Sequence, residues 1–405
     1  MTAASAVDIA GSIVNVGVDG TSSPLREVDT VNLIDASAGT LSGTPANTSS
    51  DGSGMLGVTL RYEFDILVDG QILLATVTKA AVNEQAKSFS EGRLAGAALL
   101  LQGSDLLAES GTRSALDPAR GGRNGVGGGY GVEVFSAARV GDVRRNTGSH
   151  IDLRGFSSLI GVAKTIEIGS NNLTAGVFFE YGEGSYDAYN SFVGSPPVHA
   201  DGDTDYRGGG ILARVDFADD GTGNLYGEFS FRMGGAHNSY LSRDLWDSSG
   251  RAATYDLSSR YHGFHFGLGY VGDITESASV ELYGRYLWNG VGDGSVRLST
   301  GEEIGFDRVD SSRFKLGAKI SRAFNDHLAA YAGAAFEHEF EGRAGAMTNG
   351  FFIPAPNMKG STGIGELGVS LSPSAGSGLS IDFGAQGYVG KRRGVTGSLS
   401  VKFSF

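Results

Sequence analysis

The chain has 405 residues, with 65 Gly, 8 Pro, no Cys, 40% hydrophobic residues and a formal net charge of −13. The lack of cysteine excludes a disulfide scaffold, thiol catalysis and cysteine-based metal sites. An acidic chain without a strong basic cluster is also a poor partner for nucleic acid. No apolar run reaches the length of a membrane helix; the longest is LAGAALLL, Leu94 to Leu101. The opening MTAASAVDIAGSIVN lacks the basic and apolar regions of an export signal, so an exported form is expected to start upstream of this sequence.

In chain order, residues 1–77 are polar and rich in Ser, Thr, Asp and Gly, with short β-like runs. In VTLRYEFDILV, Val58, Leu60, Tyr62, Phe64, Ile66 and Val68 share a parity, and Asp69-Gly70 follows before QILLATV. Alternation, Asp-Gly and a second apolar run predict a β-hairpin. Residues 78–111 are dominated by Ala, Leu, Glu, Gln and Lys and contain no proline, which predicts a helix. Its glycines Gly92, Gly96 and Gly103 weaken the helix intrinsically but let neighbouring walls come close. Glu91, beside Gly92, belongs to the same plug helix. Residues 112–127 read as a Gly- and Arg-rich loop.

From residue 128 to 405 the hydrophobic period is two. Twelve strand-like segments start near Gly128, Asp152, Asn171, Thr204, Gly223, Ser258, Ala278, Val309, His327, Gly360, Leu379 and Val395. In NLYGEFSFRM, Leu225, Phe229, Phe231 and Met233 oppose Glu228 and Arg232; VELYGRYLW and RFKLGAKIS repeat the pattern. The segments exceed the usual five or six residues of a globular strand and match a tilted bilayer crossing. Connections after alternate segments are short (IGSNN, ADDGTGN, GDITES, AFND, SPSAGSG), and those between are long, such as SYDAYNSFVGSPPVHADGD and NSYLSRDLWDSSGRAATYD. GKRRG, the last connection, breaks the alternation, and its Lys391–Arg393 run reads as a charged loop. Short turns at one end and long loops at the other is the outer-membrane barrel pattern.

The polar parity carries Glu228, Arg232, Glu281, Arg285, Arg313, Lys315, Lys319, Glu337, Glu339, Asp382 and Lys402. Charges of both signs are costly against lipid, so this face is expected to line a lumen. Tyr181, Tyr270, Trp288 and Phe405 are candidates for interfacial girdles. The expected fold is therefore all-β: a twelve-stranded antiparallel transmembrane β-barrel, a helix through its lumen and a short β-rich N-terminal segment. A helix of about thirty residues is about 45 Å long, more than the roughly 25 Å apolar band, so it spans the pore.

These segments together resemble the translocator domains of autotransporters, the type V secretion proteins. SFSEGRLAGAALLLQGSDLLAE resembles the family's linker helix, and VDTVNLIDASAGTLSG with VTLRYEFDILVDGQILLATV resembles the closing rungs of a passenger stalk. VTGSLSVKFSF resembles the C-terminal recognition strand, with Leu399, Val401, Phe403 and Phe405 as the assembly signal. The resemblance implies a Gram-negative outer-membrane protein, with the N-terminal segment exposed at the cell surface. Implied partners are outer-membrane lipid, the chain's own passenger, the barrel assembly machinery and periplasmic chaperones.

The adjacent-Asn pattern of self-cleaving relatives is absent. Asn83, the one Asn of this helix, reads as an exposed helix residue. His262 and His265 stand three apart on a strand and so face opposite sides, which disfavours a shared metal. No catalytic residue, cofactor or metal site is expected, and the protein reads as a non-enzyme. Two alternatives are a passive pore, if the helix leaves the lumen open, and a barrel hydrolase, if a Ser/His/Asp cluster forms at the loop ends.

Overall fold

The structure, a computed structural model, describes residues 2–3, 5–18, 24–116, 132–218, 223–373 and 378–404. The N-terminal segment holds β1 (Ala6–Asp8), β2 (Thr30–Asp35), β3 (Thr40–Ser42), β4 (Ser49–Leu56), β5 (Leu60–Asp69) and β6 (Ile72–Val82). β1 pairs with β3 in parallel, and a four-stranded sheet runs β2-β6-β5-β4. Leu60, Tyr62, Phe64 and Ile66 bury one face of β5 against Leu73, Ala75 and Val77 of β6. Between β5 and β6, Gly70 takes a left-handed φ of 57°, which glycine adopts without a Cβ penalty.

β6 extends through Val82, so the helix starts at Glu84 and not at 78. Lys79–Val82 have good helix propensity, but Glu63, Tyr62, Arg61 and Leu60 supply them with strand partners. Pairing overrides propensity here. A single 3₁₀ turn (Glu84–Ala86) leads into α1 (Lys87–Leu106), a π turn (Leu107–Gly111) and the short α2 (Thr112–Ser114).

The barrel strands are β7 (Val132–Asn146), β8 (His150–Ile168), β9 (Asn171–Asn190), β10 (Val198–Asp216), β11 (Gly223–Trp246), β12 (Ala252–Thr275), β13 (Ala278–Val291), β16 (Val309–Asn325), β17 (Leu328–Glu339), β20 (Gly360–Leu371), β21 (Leu379–Gly390) and β22 (Arg392–Ser404). They form a closed antiparallel ring in which β22 pairs with β7, Lys402 opposite Phe135. The near mouth holds the start of β7, the end of β22 and the turns that join β8 to β9, β10 to β11, β12 to β13, β16 to β17 and β20 to β21.

The far mouth differs from the sequence expectation. The two loops read as long are mostly strand: β9 to β12 run 20, 19, 24 and 24 residues, leaving connections of only 191–197 and 247–251. The segments expected near Thr204 and Ser258 begin at Val198 and Ala252. Polar residues on both faces hid this extension, because a strand that rises beyond the lipid no longer needs an apolar exterior. The 247–251 turn is closed by Asp247, whose Oδ1 accepts from the Ser249 hydroxyl (2.7 Å) and from the backbone amides of Ser249 and Arg251 (both 2.9 Å). These bonds hold its carboxyl well below the usual carboxylate range.

The two longest connections carry β14 (Gly294–Arg297), β15 (Glu303–Phe306), β18 (Ala346–Thr348) and β19 (Phe351–Ile353). These pair as one small sheet over the far mouth. Outside, Phe179, Ile211, Phe229, Leu268, Leu316, Phe336 and Phe383 belong to an exposed apolar belt. Among the described residues no helix is long and apolar enough to cross a membrane; the belt crosses with strands.

Candidate functional site: the helix-filled lumen

α1 is buried along almost its whole length inside the barrel. Twenty residues at 1.5 Å each span about 30 Å. At the far mouth, Glu91 accepts from Thr147 (2.9 Å) and pairs with Lys87 (3.5 Å). At the near mouth, Lys402 Nζ donates to the carbonyl of Leu116, beyond α2. The chain therefore threads the lumen from one mouth to the other.

Two collars grip the helix. The far collar is aromatic. Tyr240 and Tyr255 stack at 4.9 Å and pack on Phe89. Tyr240 donates to Ser88 Oγ (2.8 Å), Tyr255 to the Phe89 carbonyl (2.9 Å) and Asn238 Nδ2 to the Gly92 carbonyl (3.1 Å). The predicted glycines make this contact possible. A Cβ on Gly92 would lie 2.6–2.8 Å from Tyr240, Tyr255 and Tyr186; on Gly96, 3.0 Å from Asn238; on Gly103, 2.1 Å from Tyr206.

The near collar is charged. Asp105 pairs with Arg313 (2.7 Å), Arg392 (2.7 Å) and Lys315 (3.8 Å). Four residues on, Glu109 pairs with Arg139 and Lys315, both at 2.6 Å, and accepts from Gln386 at 2.9 Å. Glu337 contacts Arg313, Lys315 and Arg392 from the wall. Between the collars Arg232 pairs with Glu180 (2.9 Å) and donates to the Leu100 carbonyl (2.8 Å). Buried charges need such partners, because an isolated one carries a large desolvation penalty.

Arg232, Arg313 and Lys315 therefore bind the helix or its immediate partners. Glu228 and Arg285 pair with each other in the wall (2.5 Å), Lys319 pairs with Glu281, and Asp382 accepts from Ser370. Glu339 accepts from Ser311 Oγ (2.5 Å), and Lys402 also pairs with Glu133 (3.5 Å). On β22, Leu399 and Phe403 are exposed and Val401 is half-buried on the same outward parity; Phe405 lies outside the described residues. Tyr181 is exposed, and Tyr270 and Trp288 are half-buried on the outer face.

Three sequence readings need correction or addition. Lys391–Arg393 is not a free charged loop: only Lys391 is outside the strands, and Arg392 points inward to Asp105. The short connection allows this, because β22 begins at once and its parity alternates from its first residue. Asn83 is not an exposed helix residue. It is buried as the helix N-cap, its Oδ1 accepting from Gln85 N (3.2 Å) and its Nδ2 donating to the Val58 carbonyl (3.0 Å). Removing this cap by Asn83→Ala is expected to cost about 1 kcal/mol locally and to speed exchange of the Gln85 amide roughly fivefold. Hydrogen exchange at that amide checks it. Finally, Asp105 and Glu109 were not singled out, although two carboxylates four apart within an otherwise apolar helix end were the available signal.

His262 and His265 do face opposite sides. Inside, His265 Nδ1 meets Ser230 Oγ (2.5 Å), and its Nε2 stands 3.7 Å from Glu228, which is committed to Arg285. All three residues are buried in the wall, so this set is packing rather than an open cleft. Among the described residues, no cluster of three His, Cys, Asp or Glu could hold a metal ion.

The N-terminal segment docks on the far mouth. Val58 N donates to Glu302 of the 292–308 connection, and Thr348 donates to Thr59 (3.4 Å). Phe351 packs on the N-terminal core.

A family model described as the autotransporter beta-domain matches residues 134–385. The translocator domain of the autotransporter NalP from Neisseria meningitidis is similar in structure, with a TM-score of 0.55 and 19% identity, covering 79% of this chain and 100% of that one. The transport unit of the autotransporter AIDA-I from Escherichia coli has a TM-score of 0.52 and 13% identity, covering 80% of this chain and 99% of that one. At these identities the likeness is one of fold. No curated protein matches this chain.

Proposed function

The chain belongs to the autotransporter beta-domain family, and from that premise we propose that its barrel carries residues 1–77 through the outer membrane and anchors them at the cell surface. One observation carries the reading. The helix fills the lumen end to end, with the N-terminal sheet at the far mouth and the start of β7 at the near mouth. In an outer-membrane barrel the short turns face the periplasm. The near mouth is then periplasmic, and the docked sheet faces outward.

In this division residues 1–77 are the passenger end, 78–111 the linker containing the helix and 128–405 the translocator; of the segment read as a loop over 112–127, Thr112–Ser114 instead close the helix as α2, and 117–127 lie outside the described residues. The inward charges Glu228, Arg232, Glu281, Arg285, Arg313, Lys315, Lys319 and Asp382 fix the wall and the helix, and no chemical step is assigned to them. Leu399, Val401, Phe403 and Phe405 are the signal read by the barrel assembly machinery, after periplasmic chaperones deliver the chain. An exposed strand edge offers backbone pairing for that recognition.

The test uses an export signal and an epitope placed ahead of Thr2, in a Gram-negative host. Protease added to intact cells is expected to remove the epitope while a heat-modifiable barrel remains in the outer membrane. An epitope that stays protected in cells with an assembled barrel sinks the reading and favours a pore.

A further inference from the structure

On the outer wall, just above the apolar belt, Arg207 of β10, Gly235 of β11 and Arg260 of β12 stand directly opposite one another. All three lie on the outward parity. The two arginines are therefore two strand spacings apart, about 9.6 Å between backbones. Both are exposed, and neither has an ion-pair or hydrogen-bond partner for its guanidinium among the described residues. A Cβ on Gly235 would meet nothing within 4 Å, so an open saddle lies between them.

The next strand extends the same patch. Arg308 reaches across Gly290 to His262 Nε2 (3.2 Å) and lies over the Trp288 ring (5.2 Å) while pairing with Asp310 (2.9 Å). Below the saddle, Met233 and Phe231 are exposed on β11. Three guanidinium groups thus sit at the upper limit of the belt, one of them paired with Asp310, while Asp205 and Glu183 stand opposite each other on the outer face one step above Arg207. Two other arginines of the rim are spent on their neighbours: Arg144 pairs with Asp152 (2.6 Å) and Arg154 with Asp142 (3.4 Å).

We propose that this saddle binds a phosphorylated glycolipid of the outer leaflet, with its phosphates on Arg207 and Arg260 and its acyl chains on Met233 and Phe231. The proposal rests on the far mouth being the outward one, as read above. Guanidinium groups match phosphate oxygens in a planar fork, and unpaired ones lose no existing bond on taking a ligand. Glycine at the saddle lets a headgroup approach the sheet. The adjoining belt fixes the ligand as a lipid, because a phosphate at this depth brings hydrocarbon with it.

The full chain in detergent would be mixed with bisphosphorylated lipid A, dephosphorylated lipid A or inorganic phosphate, and bound lipid counted by native mass spectrometry. Wild type is expected to hold the bisphosphorylated form roughly thirtyfold more tightly than Arg207→Gln/Arg260→Gln, at about fivefold per guanidinium. The dephosphorylated form should bind both proteins equally and weakly. Arg144→Gln/Arg154→Gln removes the same charge elsewhere and should bind like wild type. Equal loss in that control means diffuse charge attraction and overturns the site, as does displacement of the lipid by inorganic phosphate at equal concentration. Heat-modifiable migration of every variant confirms an intact barrel. The assay does not use passenger export, so its failure is distinct from a failed protease-shaving result.

Discussion

Asp105→Ala is expected to release the helix from its near collar and to raise the conductance of the barrel in a planar bilayer. Asp105 is shared by Arg313, Arg392 and Lys315. Its removal leaves those cations facing one another, with Glu337 as their remaining close carboxylate on the wall. Breaking a buried ion pair from one side typically costs about 3–5 kcal/mol, because the stranded charge has lost its water and its partner. Most of that cost falls on helix docking, since the barrel ladder itself is untouched. Asp105→Asn keeps the size and some hydrogen bonding, so its shortfall isolates the charge. A conductance and a denaturant midpoint equal to wild type in both variants would mean that the near collar does not hold the helix.

Gly92→Ala is expected to destabilise the assembled protein, although the same change in an exposed helix stabilises by about 1 kcal/mol. The added Cβ meets tyrosines from three strands, the Tyr240 ring at 2.6 Å and the Tyr255 and Tyr186 hydroxyls at 2.7 and 2.8 Å. Those rings cannot swing aside cheaply: Tyr186 donates to the Ser239 carbonyl (2.7 Å), Tyr240 to Ser88 and Tyr255 to the Phe89 carbonyl. Overpacking a filled core costs about 1–3 kcal/mol, and larger residues cost more. Gly96→Ala meets only the Asn238 side chain at 3.0–3.3 Å and should cost less. Thermal unfolding of the two variants, read as loss of heat-modifiable migration, checks the order. Equal or raised stability of Gly92→Ala would place the helix away from the tyrosine collar.

What the sequence disclosed follows from which constraints are local. The belt was legible because lipid imposes strict alternation on Phe229, Phe231 and Met233, and the lumen because it admits Glu228 and Arg232 opposite them. The Asp-Gly hairpin was legible because Gly70 needs a left-handed φ. The height of β9 to β12 was not, since above the lipid both faces are wet and alternation carries no polarity signal. The role of Arg392 was hidden because KRR looks like a surface run until the register of β22 turns its middle residue inward. Asn83 was misplaced because its burial depends on Val58, distant in sequence and brought near by β5 and β6. Asp105 and Glu109 acquire meaning only with Arg313, Arg392 and Arg139, which arrive from three separate strands.

The most direct test of the threaded lumen is a cross-link. The chain has no cysteine, so any engineered pair stands alone. A Cβ on Gly96 lies 3.3 Å from the Cβ of Asn238, within a few tenths of an ångström of the roughly 3.5–4.5 Å that a disulfide requires. Gly96→Cys/Asn238→Cys, oxidised in isolated outer membranes, is predicted to form the bond in most assembled molecules. Gly96→Cys/Gly235→Cys, with its second thiol on the outer face, is predicted to form none. Free thiols at 96 and 238 in a fully assembled barrel would contradict a helix-filled lumen, and with it the route by which residues 1–77 reach the far mouth.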